Sequence, residues 1–583
     1  MTSPIPSTIP ARPQTPYRAL GWLLAVPALL GALITLVLPT VQTIVLSLHS
    51  GGVLQPSRFV GLDNYTKVLG GTEFWRALGF TLSLTVGPLL VAVAVGPLLA
   101  LALDRGGAWP RRTGPAVLSL AIVTFSPVGV AAAWIRGFMP DGPGLASMAT
   151  EGLRDPATAP GALRLIVVAA TFGLVCALAL TAFLPALRGG TAGPATIVVG
   201  VLVALATVAV GVQAFSMGMV LTRGGPERAT ETLAGLQYDY AFRMAQFGPG
   251  AAVAALTGVL LGVLGIAAVV VVAATRLRIT LTPKPGTRTA TANQPARVPA
   301  PTHPASWAGA FPSDQHNPPA GQGDLALAQD GRSRTAGPAG TAVAVVALVV
   351  VAAVAIVCAW PWISGVLAGP GTPAGGLRAQ VNTWIPAVVG ALVSVGVAYL
   401  AALGIGGLRP LGRHSEWLLL LFAPWLFVGT GPLGVADWQN MRDLGLLDTF
   451  FALFPPLLVS VPALLVLTLL CKGLAERNGG DFFGAVLLPS LPMAGVLVVA
   501  VTLMNAQDAL WPLLVAQRPE LFTAPVTQMS QLGGFATTEP DVGASTPLVV
   551  VALTLAAVVA AQLLHLDRLA IRAGGSRTAG PGA

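Results

Sequence analysis

Residues 341–364 run TAVAVVALVVVAAVAIVCAWPWIS, without one charged side chain. Roughly 20 apolar residues in a helix cover the ~30 Å hydrocarbon core of a bilayer. This run is one of twelve comparable windows, at about 20–46, 79–103, 115–137, 164–186, 195–220, 249–275, 341–364, 384–406, 416–436, 450–471, 484–507 and 547–566. In hydrocarbon every backbone N–H and C=O must be satisfied inside the protein, which makes such windows helices. The expected fold is an all-α integral membrane protein with twelve transmembrane helices. Only 9 % of the chain is charged and 54 % is hydrophobic, against about 25 % charged residues in soluble domains. The first window has no small-residue cleavage site after it and reads as a retained helix, not a signal peptide.

Six windows precede a long polar stretch and six follow it. Residues 1–18 read as a disordered N-terminus, 19–275 as a first six-helix half, 276–340 as a disordered linker, 341–567 as a second six-helix half and 568–583 as a tail. The linker contains TPKPGTRTATANQPARVPAPTHPASW, too rich in Pro, Thr and Ala to bury a core. An even number of spans puts both termini on one side. Placing them in the cytoplasm puts most of the 32 Lys and Arg inside and most of the 23 Asp and Glu outside, as the positive-inside rule asks.

Several chemistries have no sequence basis. There is no GxxxxGK[ST] phosphate loop, and Lys67, Lys284 and Lys472 all lie outside a Gly-Lys-Ser/Thr context. The chain is therefore not expected to be an enzyme, nor to hydrolyse ATP by itself. Cys176, Cys358 and Cys471 are scattered and read as packing residues. His303 and His316 read as solvated linker residues. No metal, cofactor or nucleic-acid site is expected. The spans hold almost no charge, which argues against an ion-coupled carrier, since such carriers place ionisable groups near the midplane.

The polar insert LTRGGPERATETL (221–233) cannot lie in hydrocarbon and reads as an external loop between the fifth and sixth windows. Together with its surroundings it resembles a known family. FVGLDNYTKVLGGTEFWRALGFTLSL (59–84) and VQAFSMGMVLTRGGPERATETL (212–233) resemble the membrane subunits of binding-protein-dependent sugar importers, the maltose-type ABC permeases. VNTWIPAVVGALVSVGVAYLAALGI (381–405) and AQDALWPLLVAQRPELFTAPVTQMSQL (506–532) resemble the partner permease of the same importers. The resemblance implies two type I permease subunits fused in one chain. It implies cytoplasmic ABC ATPase subunits and an extracytoplasmic solute-binding (lipo)protein as partners, in a bacterial cell membrane. The substrate it implies is a carbohydrate or similar neutral solute.

A neutral polyhydroxylated solute needs amides, hydroxyls and aromatic faces. The matching helices offer Gln213, Ser216, Asn505, Gln507, Asp508 and Trp511 as a substrate path, with interhelical hydrogen bonding as the structural alternative. The family's ATPase-docking loops have the form EAA…G…LP. Here they are eroded to LTAFLPALRGGTAGPATIVVG (180–200) and LLCKGLAERNGGDFFGAVLLPSLP (469–492). Arg188, Gly189, Gly190, Lys472, Glu476, Arg477, Asp481 and Phe483 are the candidate coupling residues that remain. Two other readings stay open: a major-facilitator-type secondary carrier, for which LALDRGGAWPRRTGP (101–115) offers a hint, and a divergent, non-transporting membrane scaffold.

Overall fold

The computed structural model describes residues 15–51, 57–138, 144–188, 192–282, 337–369, 376–477, 482–532 and 541–574. Among these, nine helices are long and apolar enough to cross a membrane, and a bent pair makes a tenth. In the first part they are α1 (Arg18–Ser47), α2 (Thr72–Arg105), the bent pair α3 (Ala108–Val123) and α4 (Pro127–Phe138), α5 (Ala159–Leu187), α6 (Gly193–Leu221) and α7 (Phe247–Ala274). The second part begins with α8 (Pro338–Leu367) and α9 (Gly376–Leu408). There follow the shorter helices α10 (Thr430–Asp443) and α11 (Val461–Arg477), then α12 (Phe483–Ala506) and α13 (Leu548–Arg568). The chain is a multi-pass, all-α membrane protein.

Two of the twelve windows do not become long helices, and in both cases proline and glycine explain why. Window 416–436 divides into a 3-10 helix, Gly412–Leu421, and α10, with a break at Phe427–Gly429 just ahead of Pro432. Window 450–471 divides at Phe454–Ser460, around Pro455 and Pro456, before α11 begins. Window 115–137 also breaks: α3 and α4 meet at 73°. Proline cannot continue a helix from its interior but suits its first turn. Pro127 opens α4, with the Ser126 hydroxyl accepting from the Gly129 N–H at 3.1 Å.

The breaks expose a repeat that hydropathy hides. Pro127–Ala131 reads PVGVA, and Pro432–Ala436 reads PLGVA. Each stands at the start of the helix after the break.

Helices from the two parts exchange places. The N-terminal part of α1 packs on α9, in the other series, while its C-terminal part packs on α7. Ala28, Ala32 and Leu36 meet Val395, Ala398 and Ala402, at three- and four-residue spacing that aligns one face of each helix. Small residues let backbones approach where no water drives association. At Gly404 an added Cβ would stand 2.4 Å from the Gly21 carbonyl oxygen. α8 likewise packs on α2, α3, α4 and α5, with Thr341 donating to the Gly106 carbonyl at 3.1 Å. Its other face shows Val343, Val346, Val350 and Val357, each more than half exposed, as a lipid-facing helix would.

The ends of α7 and α13 are joined by a two-stranded antiparallel ribbon. β1 (Arg278–Leu281) pairs with β2 (Leu569–Arg572), Arg278 opposite Arg572 and Leu281 opposite Leu569. This corrects two expected boundaries. The strand Arg278–Leu281 lies inside the stretch read as linker, and the strand Leu569–Arg572 inside the stretch read as tail. The cause is mutual: each strand satisfies the other's backbone, and Ile279, Leu281 and Leu569 are buried.

Candidate functional site

The loop 221–233, expected on the outer face, is folded in. Of these residues Arg223 and Glu227 are exposed, while Thr230, Glu231, Thr232 and Leu233 are buried. Arg223, Glu227 and Arg228 take left-handed backbone angles, φ 50°, 50° and 57°, a conformation that side-chained residues hold only where surrounding contacts fix it. The Glu231 carboxylate fills the space between two glycines. A Cβ on Gly224 would stand 2.2 Å from one of its oxygens, and a Cβ on Gly235 would stand 2.3 Å from the other. Burial, with Asp239 nearby, pushes Glu231 up to about 7, against the opposing pull of Arg228. Arg228 itself pairs with Glu73 at 2.7 Å.

Behind the loop two threonines do the same work in the two parts. The Thr81 hydroxyl accepts from the Leu233 N–H at 3.0 Å, at the start of the helix Leu233–Tyr238. The Thr383 hydroxyl accepts from the Ala524 N–H at 2.8 Å, at the start of the helix Ala524–Leu532. Each satisfies a donor that a helix N-terminus leaves open.

The residues expected on a solute path converge on one turn. Gln213 donates to the Phe427 carbonyl at 2.7 Å and accepts from the Gly429 N–H at 2.8 Å. Asp508 accepts from the Thr430 hydroxyl at 3.0 Å and from the Leu510 N–H at 3.0 Å. Gln237, which sequence reasoning did not single out, donates to the Gly431 carbonyl at 2.7 Å. Side chains from three places in the chain thus hold residues 427–431, whose backbone groups the helix break sets free. The signal was present as GTGP (429–432), a turn sequence inside an apolar window.

The remaining path residues stand nearby in sequence but bond elsewhere. Asn505 donates to the Ala387 carbonyl at 3.3 Å and Gln507 to the Ser545 carbonyl at 3.0 Å. Trp511 is buried and donates to the Ala452 carbonyl at 2.9 Å. Ser216 is half-buried and opens the short helix Ser216–Leu221.

At the ribbon end, the candidate coupling residues bind within the chain. Arg188 reaches the Asp567 carboxylate at 2.8 Å and its carbonyl at 2.6 Å. Arg112 meets the other carboxylate oxygen at 2.8 Å. Lys472 pairs with Glu416, both buried. Glu476 takes Arg278 at 2.9 Å and Arg409 at 3.2 Å, and Arg477 donates to the Leu281 carbonyl. Phe483 is exposed at the start of α12. Gly189, Gly190 and Asp481 lie outside the described residues.

A cavity of about 700 Å³ lies between the turn and the ribbon. Leu426 and Phe427 line one end, and Leu277, Ile279, Leu569 and Ile571 line the other. None of the solute-path residues lines it. Among the described residues no cluster of three or more His, Cys, Asp or Glu comes together as a metal site would require.

No family model matches the chain. One segment of 87 residues is 34 % identical to the trehalose/maltose transport system permease protein MalF of Thermococcus litoralis. The segment covers 15 % of this chain and 30 % of that protein. The chain is thus a multi-pass membrane protein, part of which is similar to a sugar ABC permease.

Proposed function

We propose that the chain is the permease component of an ABC importer for a carbohydrate or similar neutral solute, with two six-helix halves fused into one polypeptide. On this reading Phe427–Gly431, with Gln213, Gln237, Thr430 and Asp508, is the narrow point of the solute path. The observation that carries it is the convergence of those side chains on a broken span. Transporters build solute sites from discontinuous helices, whose freed backbone groups can face a polar ligand. The repeated PVGVA and PLGVA segments, the paired threonine clamps and the exchanged α1 and α8 support two equivalent halves. The similarity to MalF supports the class of solute.

Twelve crossings follow if the divided windows 416–436 and 450–471 count as spans. The loop 221–233 and its neighbours then form the docking face for a binding protein. Energy comes from separate ATPase subunits on the ribbon side, the face that also carries both termini. A second reading, a scaffold that no longer moves solute, is favoured by one observation: Arg188, Lys472, Glu476 and Arg477 all bind inside the chain.

Purification from native membranes in mild detergent separates the two. The importer reading expects an ATP-hydrolysing subunit and a solute-binding protein to travel with the chain. Recovery of the chain without either, together with no solute-uptake defect on deletion, contradicts it.

A further inference from the structure

The cavity between α3, α5, α6 and α7 on one side and α11, α12 and α13 on the other has an unusual lining for a sugar path. It contains no charged residue. Its polar side chains are Ser119, Thr181 and Gln562. Ser119 donates to the Pro115 carbonyl at 2.7 Å and Thr181 to the Leu178 carbonyl at 2.7 Å, so both hydroxyls serve their own helices. Gln562 differs. It is 7 % exposed, lies on the cavity wall, and among the described residues its amide makes no hydrogen bond. A primary amide has two donors and one strong acceptor to offer a ligand in the cavity.

We infer that this cavity binds a single-chain, uncharged amphiphile from the bilayer, its hydrocarbon tail filling the apolar space and its polar group hydrogen-bonded to Gln562. The volume lies in the range of small-molecule sites, about 300–1,000 Å³. A sugar entering the cavity would leave most hydroxyls unpaired. A fatty-acid carboxylate or a phosphate would bring a charge with no counter-charge in the lining. A hydroxyl, ester or amide head carries neither cost. A tail taken from lipid is already in hydrocarbon, so selectivity comes from shape and from the Gln562 bond. The inference does not require the importer reading: of the residues placed on the solute path, Phe427 alone lines the cavity, and the binding argued here rests on Gln562 at another wall.

The test uses the purified full-length chain, stripped of lipid in detergent, with monooleoylglycerol as the probe. Native mass spectrometry is expected to show one saturable adduct per chain, unchanged by excess trehalose and not reproduced by oleate. A diazirine analogue is expected to cross-link to α12 or α13. Gln562→Leu is expected to weaken binding about 3- to 10-fold, the loss of one hydrogen bond. Ala500→Trp on one wall and Ala206→Phe on the other are expected to abolish the adduct in protein that remains monodisperse. Absence of a saturable adduct, displacement by trehalose, or cross-links confined to the outer helix faces would overturn the inference. If both filling variants misfold, the wild-type cross-link position decides.

Discussion

Glu231 is a loop residue whose chemistry departs from its ordinary behaviour. Its carboxyl rises from 4.5 to about 7 because the pocket between Gly224 and Gly235 excludes water. A raised carboxyl favours the protonated folded state, so the folded loop binds more protons than the unfolded one between those values. The contribution is fully present below pH 4.5, declines as pH rises through the window, and is a net cost above about 7. Glu231→Gln is therefore expected to remove that slope: thermal melts between pH 4.5 and 8 should fall for wild type and run flatter for the variant. Gly235→Ala forces a methyl against the same carboxylate and is expected to cost about 1–3 kcal/mol by overpacking, read as a lower unfolding temperature.

Lys472 and Glu416 test a different rule at the same scale. Breaking a buried pair on one side leaves an uncompensated charge, so Lys472→Met is expected to destabilise by about 3–5 kcal/mol. Adding Glu416→Leu should recover most of that loss, and a double variant as weak as the single one would argue against direct pairing. This pair was only half visible in the sequence. Lys472 stood out as one of three lysines, but Glu416, 56 positions earlier, opened what read as a membrane span.

At the scale of elements, uninterrupted apolar runs were legible and broken ones were not. α1, α2, α7, α8 and α9 occupy windows that mean hydropathy finds directly, because every residue on a lipid-facing helix carries the signal. The third windows of both halves fail, since an apolar residue in a turn counts the same as one in a helix. Gly429–Pro432 marked the turn, yet what satisfies its backbone is Gln213 and Gln237, about two hundred residues away. Gln213→Leu leaves the Phe427 carbonyl and the Gly429 N–H without that partner and is expected to cost about 1–3 kcal/mol. Denaturation in detergent checks it, and an unchanged midpoint would mean the turn is held by other contacts. The ribbon was illegible for a related reason: neither RITL nor LAIR is long enough to announce a strand without the other.

For the molecule as a whole, the ribbon joins the ends of α7 and α13 beside the cavity. Cysteines at Ile279 and Ile571, paired in register, are expected to form a disulfide under oxidation, at a separation strand neighbours permit. If passage requires the halves to part at this end, the oxidised protein should lose uptake and regain it on reduction. Uptake unaffected by the cross-link would place the moving gate elsewhere. On the importer reading, two tethered halves form a solute passage whose energy comes from another polypeptide. Uptake of labelled trehalose into sealed vesicles holding the chain, its co-purified ATPase and binding protein measures it most directly. That uptake is expected to stop without ATP and to survive dissipation of the proton gradient. Uptake by the chain alone, collapsing with that gradient, would contradict it.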